Sequence, residues 1–319
     1  MRICVFALDG VFDTGLTALL DTFATANLLA RMQGAPADVL QVSVVGVKSR
    51  VRTGLGLTMS VAPARSVTHA DWIVVPALNA LTPELLVAAL QRRDVIEAKA
   101  RLREWREGGI GIAAACIGTF VLADSGLLDG HDATTTWFLS PLFRERYPLV
   151  KLDDSRMVVA SDRLVTSAAA MGHLDLALWF VRQVSPELAS AAAKLLLIDH
   201  RSSQAQYIIP DFLAHADPLV ERFERWAREH LSDGFSLESA AAALNVHIRT
   251  LQRRTEQVLG KSPLAFFQDL RIQRARQLVS NGCDLDTVAA AVGYADTSTL
   301  RSLLRRKLGC TVKALRGQG

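Results

Sequence analysis

Over the first two hundred residues, short apolar runs alternate with amphipathic stretches. The apolar runs lie at 2–8, 40–47, 72–76 and 110–115. Each is bounded by Gly, Pro or charge, which is typical of buried β-strands. Between them, apolar residues at helical spacing predict helices over 14–30 and 83–106. The second helix has Thr82 at its N-cap position and Pro83 at its first position.

Further along, two short apolar runs and one helical stretch complete this part of the chain. The segments 157–160 and 164–167 predict a pair of strands around a turn, and 172–184 predicts a helix. Strands that alternate with helices indicate a parallel sheet with helices on both faces. We therefore predict an α/β, flavodoxin-like N-terminal domain with a mostly parallel sheet over residues 1–210.

After a linker near 205–217 the strand period disappears. Val220, Phe223, Ala227 and Leu231 fall on one face of a helix, and the later segments are also helical by period, with breaks at Gly or Asn. Residues 218–316 are therefore predicted to form an all-α domain.

Within the helical domain a pattern occurs twice. LESAAAALNVHIRTLQRR begins at Leu237, and LDTVAAAVGYADTSTLRSLLRR begins at Leu285. In each, a short helix with a stripe of small residues meets a turn residue that tolerates positive φ, Asn245 or Gly293, before a second helix. The pattern predicts two helix-turn-helix units, joined by an amphipathic helix over 263–280.

The second helix of each unit carries donors for DNA. In the first unit these residues are His247, Arg249, Thr250, Gln252, Arg253 and Arg254. In the second unit they are Thr297, Ser298, Arg301, Ser302, Arg305 and Arg306. Arg and Gln pair bidentately with guanine and adenine, so the first unit is richer in base readers and the second in phosphate contacts.

The charge distribution supports this interpretation. The net charge is −2 up to Asp217 and +6 from Pro218 onward. Such an asymmetry indicates that one domain contacts nucleic acid or a membrane surface. The alternative at this point is an ordinary basic helical surface.

Composition excludes several classes of protein. Half of the residues are hydrophobic and 21% are charged, which is typical of a folded chain. No signal peptide or membrane-spanning run is evident, so we expect a cytoplasmic protein with no membrane partner. The four cysteines are widely spaced without a C-x-x-C pair. We therefore expect no structural metal, and no cofactor.

Cys116 is a candidate nucleophile, because it follows an apolar strand and precedes Gly118 at a helix start. Nucleophilic catalysis also needs a base nearby, and the next residue is Ile117. The histidines at 69, 131 and 173 are interpreted as ordinary surface or capping residues.

The C-terminal domain resembles the AraC/XylS-type DNA-binding domain. The resemblance is carried by TLQRR (250–254), GKSPLAFFQDLRIQRARQLV (260–279) and AAAVGYADTSTLRSLLRRKLG (289–309). It implies two recognition helices about one DNA turn apart, ~34 Å, in successive major grooves. Thr255, Leu300 and Leu304 depart from it, since the family usually has Phe there.

The N-terminal domain resembles the PfpI-type, glutamine-amidotransferase-like superfamily, through ACIGTFVLADSGLLDGHDATTTW (115–137) and LVTSAAAMGHLDLALWFV (164–181). The whole chain resembles GlxA-type transcriptional regulators. In the superfamily's enzymes a His and an acid support the elbow Cys. Asp13 matches the acid, whereas Ile117 and Thr136 stand where related proteins have His. The resemblance implies a ligand pocket at Cys116, Asp13, Ile117 and Thr136 without catalysis.

We therefore predict a sequence-specific transcriptional regulator whose N-terminal domain senses a small metabolite and dimerises. Its expected partners are double-stranded promoter DNA, a small effector such as a nitrogenous metabolite, and a second copy of the chain. The alternative is a Cys-dependent hydrolase or amidase with an accessory helical domain. A purely structural DNA organiser is disfavoured, because a cleft domain of this size is superfluous for that role.

Overall fold

The structure is a computed structural model, and it describes residues 1–199, 201, 203, 204, 207, 217–308 and 312. The chain divides into two compact units, residues 1–207 and 208–319. Most of the segment at 205–217, where the sequence predicts the linker, lies outside the described residues.

The strands of the first unit are β1 (Arg2–Phe6), β2 (Gln41–Gly46), β3 (Arg50–Arg52), β4 (Thr58–Ser60), β5 (Ala62–Pro63), β6 (Trp72–Val75), β7 (Gly111–Ala115), β8 (Asp132–Ala133), β9 (Lys151–Leu152), β10 (Val158–Ser161) and β11 (Leu164–Ser167). Seven of them form one sheet in the order β10-β11-β7-β6-β1-β2-β5. Every pair in it is parallel except β10 with β11. The main parallel strands follow the flavodoxin order, which confirms the predicted fold class.

The helices of the first unit are α1 (Asp13–Met32), α2 (Pro83–Leu90), α3 (Arg93–Glu107), α4 (Gly118–Asp124), α5 (Ser140–Arg146), α6 (Gly172–Val184) and α7 (Pro186–Leu195). Alternate residues of β1 enter opposite cores, because successive strand side chains point to opposite faces. Ile3 and Val5 pack against α1 and α6, whereas Cys4 and Phe6 pack against α3 and α4. The sheet is thus covered on both faces, as predicted.

Two details of the helix prediction are wrong. The stretch 83–106 is not one helix, because the backbone of Arg92 is extended (ψ 144°) and separates α2 from α3. The Arg92 guanidinium donates to the Asp9 carbonyl oxygen at 2.6 Å, so a tertiary contact interrupts an otherwise helical sequence. A further helix, α7, follows α6 with Ser185 as its N-cap, and the sequence analysis missed it.

The second unit is helical over the described residues. Its helices are α8 (Pro218–Glu229), α9 (Leu237–Ala243), α10 (Ile248–Leu259), α11 (Pro263–Ser280), α12 (Leu285–Ala291) and α13 (Thr297–Leu308). The sequence-predicted turn residues Asn245 and Gly293 have φ of 54° and 71°. Two helix pairs, α9–α10 and α12–α13, therefore flank the long helix α11.

Arg271 of α11 is buried against the segment after α8 and the turn between α12 and α13. Its Nε donates to the Leu231 carbonyl oxygen at 2.9 Å, and its guanidinium lies over the rings of Phe267 and Tyr294. A Cβ built on Gly293 would lie 2.4 Å from its Nη2. Glycine is therefore required at this turn both for its positive φ and for space.

No helix in the described part of the chain is long and apolar enough to span a membrane.

Candidate functional site

Cys116 lies in a sharp turn between β7 and α4, as the sequence predicts. Its φ of 54° is in the left-handed region, which is rare for a residue with a side chain. Its N–H donates to the Ser167 carbonyl oxygen at 2.7 Å. A Cβ built on Gly118 would lie 2.5 Å from the Val75 carbonyl oxygen, so the start of α4 packs against β6 only because that residue is glycine.

The Cys116 thiol is enclosed, with the residue only 3% exposed. Burial raises the pKa of the thiol to about 12, and the Ile117 N–H and the Thr136 hydroxyl only partly oppose that rise. Thr136 Oγ1 has no hydrogen bond of regular geometry within the described residues, so its contact with the thiol is weak. The Thr135 hydroxyl donates to the Cys116 carbonyl oxygen at 3.0 Å. At neutral pH the thiol is therefore protonated and a poor nucleophile.

His173 does not lie at the surface, and that expectation from the sequence is wrong. Its side chain is fully buried; Nε2 accepts the Ala77 N–H at 3.1 Å, and Nδ1 donates to the Ala170 carbonyl oxygen at 2.6 Å. Burial lowers the pKa of His173 to about 4. A Cβ built on Gly15 would lie 2.5 Å from Nε2. The imidazole is neutral with both nitrogens occupied, so it fastens the loop after β6 to the start of α6.

The other two histidines that the structure describes in this unit are also unsuited to act as a base for the thiol. His131 Nδ1 lies 3.3 Å from Ser161 Oγ, and His69 is exposed. Within the described residues, no imidazole is among the groups that shift the pKa of Cys116.

Asp13 occupies the first position of α1. Its Oδ2 accepts the Leu55 N–H at 2.8 Å, whereas Oδ1 is buried with no partner among the described residues. Leu55 lines a cavity of about 450 Å³ at the carboxyl ends of β1 and β6. Cys116, Ile117 and Thr136 are not among the residues that line it. Ile117 and Thr136 thus contact the enclosed thiol, whereas the described hydrogen bond of Asp13 is with the loop that lines the open cavity.

Three residues of this open cavity, Asp9, Arg52 and Asn79, were missed by sequence reasoning. Asp9 Oδ2 accepts from Lys48 at 2.6 Å, and Oδ1 accepts the Arg52 N–H at 3.0 Å. Burial alone raises the pKa of Asp9, but these hydrogen bonds outweigh it and hold the pKa below its usual range. The sequence feature that could have identified this cavity is the position of Asp9 and Gly10 directly after the first strand, because clefts form at the carboxyl ends of parallel strands.

In the second unit, α10 carries the first predicted DNA-reading set. Leu251 is fully buried, and His247, Arg249, Gln252 and Arg253 are exposed. Thr250 and Arg254 of this set are partly buried. The Arg254 guanidinium is paired with the buried carboxylate of Asp217, which also caps α8. Arg254 therefore has a structural contact that the sequence did not reveal.

The second predicted set lies on α13. Ser298, Arg301, Ser302 and Arg305 are exposed, Thr297 is partly buried, and the side chain of Arg306 lies outside the described residues. The Asp296 carboxylate accepts the Thr299 N–H at 2.7 Å. Hydrogen bonds from the Ser298 hydroxyl and from Thr299 lower the pKa of Asp296 to about 2. Ser298 is thus already engaged at the helix start.

Thr255, Leu300 and Leu304, which replace the usual Phe of the resembled family, are all fully buried. Thr255 satisfies its hydroxyl by donating to the Leu251 carbonyl oxygen at 2.7 Å. The departures therefore concern core packing.

The protein has an α/β domain with a cysteine at a strand-to-helix turn. A helical domain with two turn-linked helix pairs follows it. The chain belongs to the DJ-1/PfpI family, whose model matches residues 1–183. A model described as a helix-turn-helix domain matches residues 240–318. The resemblance to regulators that join a DJ-1/PfpI domain to an AraC-type domain is confirmed.

Several relatives are similar to this chain over about two thirds of its length. The regulator GbdR of Pseudomonas aeruginosa is 26% identical over 226 residues, which are 69% of this chain and 60% of that protein. ArgR of Pseudomonas aeruginosa is 27% identical over 68% of this chain and 67% of its own. GlxA of Rhizobium meliloti is 25% identical over 70% of each. All three are named HTH-type transcriptional regulators. The aligned part thus spans only 60% of the first relative.

Solved structures show the same N-terminal fold. An AraC family transcriptional regulator from Pseudomonas putida superimposes with a TM-score of 0.52 at 22% identity, over 61% of this chain and 98% of that one. Drosophila melanogaster DJ-1beta gives a TM-score of 0.50 at 20% identity, over 62% of this chain and 98% of that one. At these identities the likeness concerns the fold alone.

Proposed function

We propose that this protein is a sequence-specific DNA-binding transcriptional regulator whose N-terminal unit senses a small metabolite. The observation that carries the proposal is the surface of α10, where Arg249, Gln252 and Arg253 are exposed around the buried anchor Leu251. The match of residues 240–318 to a helix-turn-helix domain supports this role for α10.

These side chains suit a major groove. The α10 surface presents two guanidiniums and one amide within five residues, all on a helix whose other face is packed in the core. Arg and Gln read guanine and adenine through paired hydrogen bonds. On α13, Arg301 and Arg305 are exposed and have few amide side chains beside them. This composition favours phosphate contacts by α13.

The test starts from duplexes selected out of a random library by the full-length protein, with binding measured by fluorescence anisotropy. Arg253→Ala is expected to cost ~1–3 kcal/mol on the selected site and to relax specificity at one position. Arg305→Ala is expected to weaken binding evenly on selected and random duplexes. Arg65→Ala, an exposed arginine of the first unit, makes the same charge change and serves as the control.

Equal losses on selected and random DNA for Arg253→Ala would contradict base reading by α10. The log of the affinity is expected to fall linearly with log salt, with a slope of ~−0.9 per phosphate contact. Binding that is independent of salt would contradict DNA binding as a whole.

The proposed sensing role is supported by the carboxyl-end cleft of the first unit. Asp13 Oδ1 is buried without a partner among the described residues, next to the loop that lines the 450 Å³ cavity. Asp13 is not itself in the described lining, so a polar effector in the cavity would act on it through the Leu55 loop, whose N–H its Oδ2 accepts. Asp13→Asn is expected to weaken the effector response while operator binding by the second unit stays unchanged. If Asp13→Asn leaves the transcriptional response to the effector unchanged, Asp13 is not part of the effector site.

The alternative function is a Cys-dependent hydrolase or amidase, favoured by the elbow geometry of Cys116. Against it, the thiol is enclosed, its pKa is raised to about 12, and Ile117 and Thr136 supply no base. We propose that the protein is not an enzyme and shows no amidase, protease or glyoxal-consuming activity above a Cys116→Ala control. Saturable turnover that disappears in Cys116→Ala would instead support a Cys-dependent hydrolase or amidase.

A further inference from the structure

A cavity of about 400 Å³ opens beside the edge strand β10. None of its lining residues belongs to the Cys116 turn or to the cavity beside Asp13. Its volume lies within the range of ~300–1,000 Å³ that small-molecule sites usually have. It is therefore a separate feature of the first unit, and nothing argued for DNA binding depends on it.

The walls of this cavity, which we call the β10 cavity, follow from two regular periods. Arg156, Val158 and Ala160 line it from the strand side, at the period of two that places side chains on one face of a sheet. Asp175, Leu178, Trp179 and Arg182 line it from α6, at the spacing of one helical face. The strand side and α6 thus direct these seven residues into the same space, and Ala193, Ile198 and Arg201 complete the described lining.

Two arginines of the β10 cavity have no side-chain partner among the described residues. Arg156 and Arg182 are exposed, and neither guanidinium has a hydrogen bond or ion pair with the residues that the structure describes. A third arginine, Arg201, donates to Asp175 Oδ2 at 2.6 Å, while its Nε is buried without a described partner. Asp175 is the one carboxylate among the described residues of the lining, so this part of the cavity carries an excess of positive charge.

Part of the lining is apolar. Val158, Leu178 and Trp179 form this part of the wall. The Trp179 ring is held edge-on by Trp72, with centroids 5.6 Å apart, and by Phe180 at 5.0 Å. A fixed aromatic wall beside free guanidinium groups suits a ligand with an anionic head and a flat apolar body.

We propose that the β10 cavity binds a small carboxylic acid with an apolar or aromatic body, with Arg156 and Arg182 holding the carboxylate. The guanidinium fork matches the two oxygens of a carboxylate, and Val158, Leu178 and Trp179 cover the body. Inorganic phosphate meets the same guanidiniums but leaves the apolar wall uncovered, so it binds more weakly.

The experiment uses the full chain with 1-anilinonaphthalene-8-sulfonate as a fluorescent reporter. Naphthaleneacetic acid, its neutral amide and inorganic phosphate are the competitors. The acid is expected to displace the reporter at least about tenfold better than the amide or phosphate, since a charged hydrogen bond is lost in the amide. Arg182→Ala and Arg156→Ala are expected to weaken competition by the acid about tenfold each.

The control is Arg65→Ala, which removes the same charge from an exposed site of the same unit. It is expected to leave competition by the acid unchanged, and circular dichroism confirms that all three variants are folded. Equal displacement by acid and amide, equal displacement by phosphate, or unchanged competition in both arginine variants would each overturn the proposal. None of these outcomes bears on DNA binding, so the two proposals fail separately.

Discussion

The enclosed thiol of Cys116 predicts a reaction rate that can be measured. At pH 7.4 an ordinary cysteine of pKa ~8.5 is several per cent thiolate. With its pKa raised to about 12 by burial, Cys116 is thiolate in only a few molecules in ~10⁵. The more basic thiolate is intrinsically more nucleophilic, with a Brønsted coefficient of ~0.4–0.5. The net expectation is exchange about a hundredfold slower than for a free cysteine derivative.

The assay is thiol–disulfide exchange with 4,4′-dithiodipyridine, resolved at Cys116 by peptide mass spectrometry over pH 6–10. Slow exchange alone could reflect poor access to a residue that is 3% exposed. The pH dependence separates the two causes. A raised pKa predicts a rate that climbs about tenfold per pH unit with no plateau below pH 10, whereas restricted access to an ordinary thiol gives a plateau above pH ~8.5.

The same peptide in protein unfolded by guanidinium chloride serves as the control, because there the thiol has its ordinary pKa. Exchange at Cys116 at the rate of the unfolded chain, or a plateau near pH 7, would refute the reasoning. Exchange at the unfolded rate would mean that the thiol has an ordinary pKa and is accessible, whereas a plateau near pH 7 would mean that an activating group reaches the sulfur and would support the hydrolase alternative.

Three further outcomes are expected. Residues 1–207 should sediment as a dimer at micromolar concentration, because we assign dimerisation to the first unit; a monomeric fragment beside a dimeric full chain would reverse that assignment. Burial lowers the pKa of His173 from 6.5 to about 4, so its contribution to stability is complete above pH 6.5 and is lost as pH falls toward 4. Denaturant titrations at pH 7 and 5 should therefore show a loss of about 2 kcal/mol that His173→Asn lacks. Gly118→Ala, whose Cβ meets the Val75 carbonyl oxygen at 2.5 Å, should lower the unfolding free energy by ~1–3 kcal/mol, whereas Gly172→Ala, with its nearest atom at 3.5 Å, should be tolerated in the same titration.

The spacing of apolar residues and the polar breaks between apolar runs predict most of this fold. The central parallel strands are recognisable because each is a short buried run between polar breaks, and α6 has the predicted bounds Gly172–Val184. The break between α2 and α3 is not recognisable, because neither Gly nor Pro marks it. Arg92 leaves the helical conformation there while it binds the Asp9 carbonyl oxygen and the Asp94 carboxylate. Those contacts depend on the assembled sheet.

The sites are less predictable than the fold, because their residues meet only in three dimensions. The sequence places His173 at a helix start, but its burial is set by Gly15 and the Ala77 N–H, which are distant along the chain. The β10 cavity is similar, since Arg156 and Arg182 are individually ordinary surface arginines. The two arginines line the same cavity only because β10 and α6 pack together.

The geometry of the Cys116 turn and the chemistry of its thiol are separable. A non-glycine residue at φ 54° costs ~1–2 kcal/mol, so neighbouring contacts must maintain the turn. Those contacts are the Cys116 N–H to the Ser167 carbonyl oxygen, the Thr135 hydroxyl to the Cys116 carbonyl oxygen, and the close approach of Gly118 to β6. None of them involves the sulfur. The turn therefore persists in Cys116→Ala, and that variant isolates the role of the thiol in activity and effector assays from any change in the backbone.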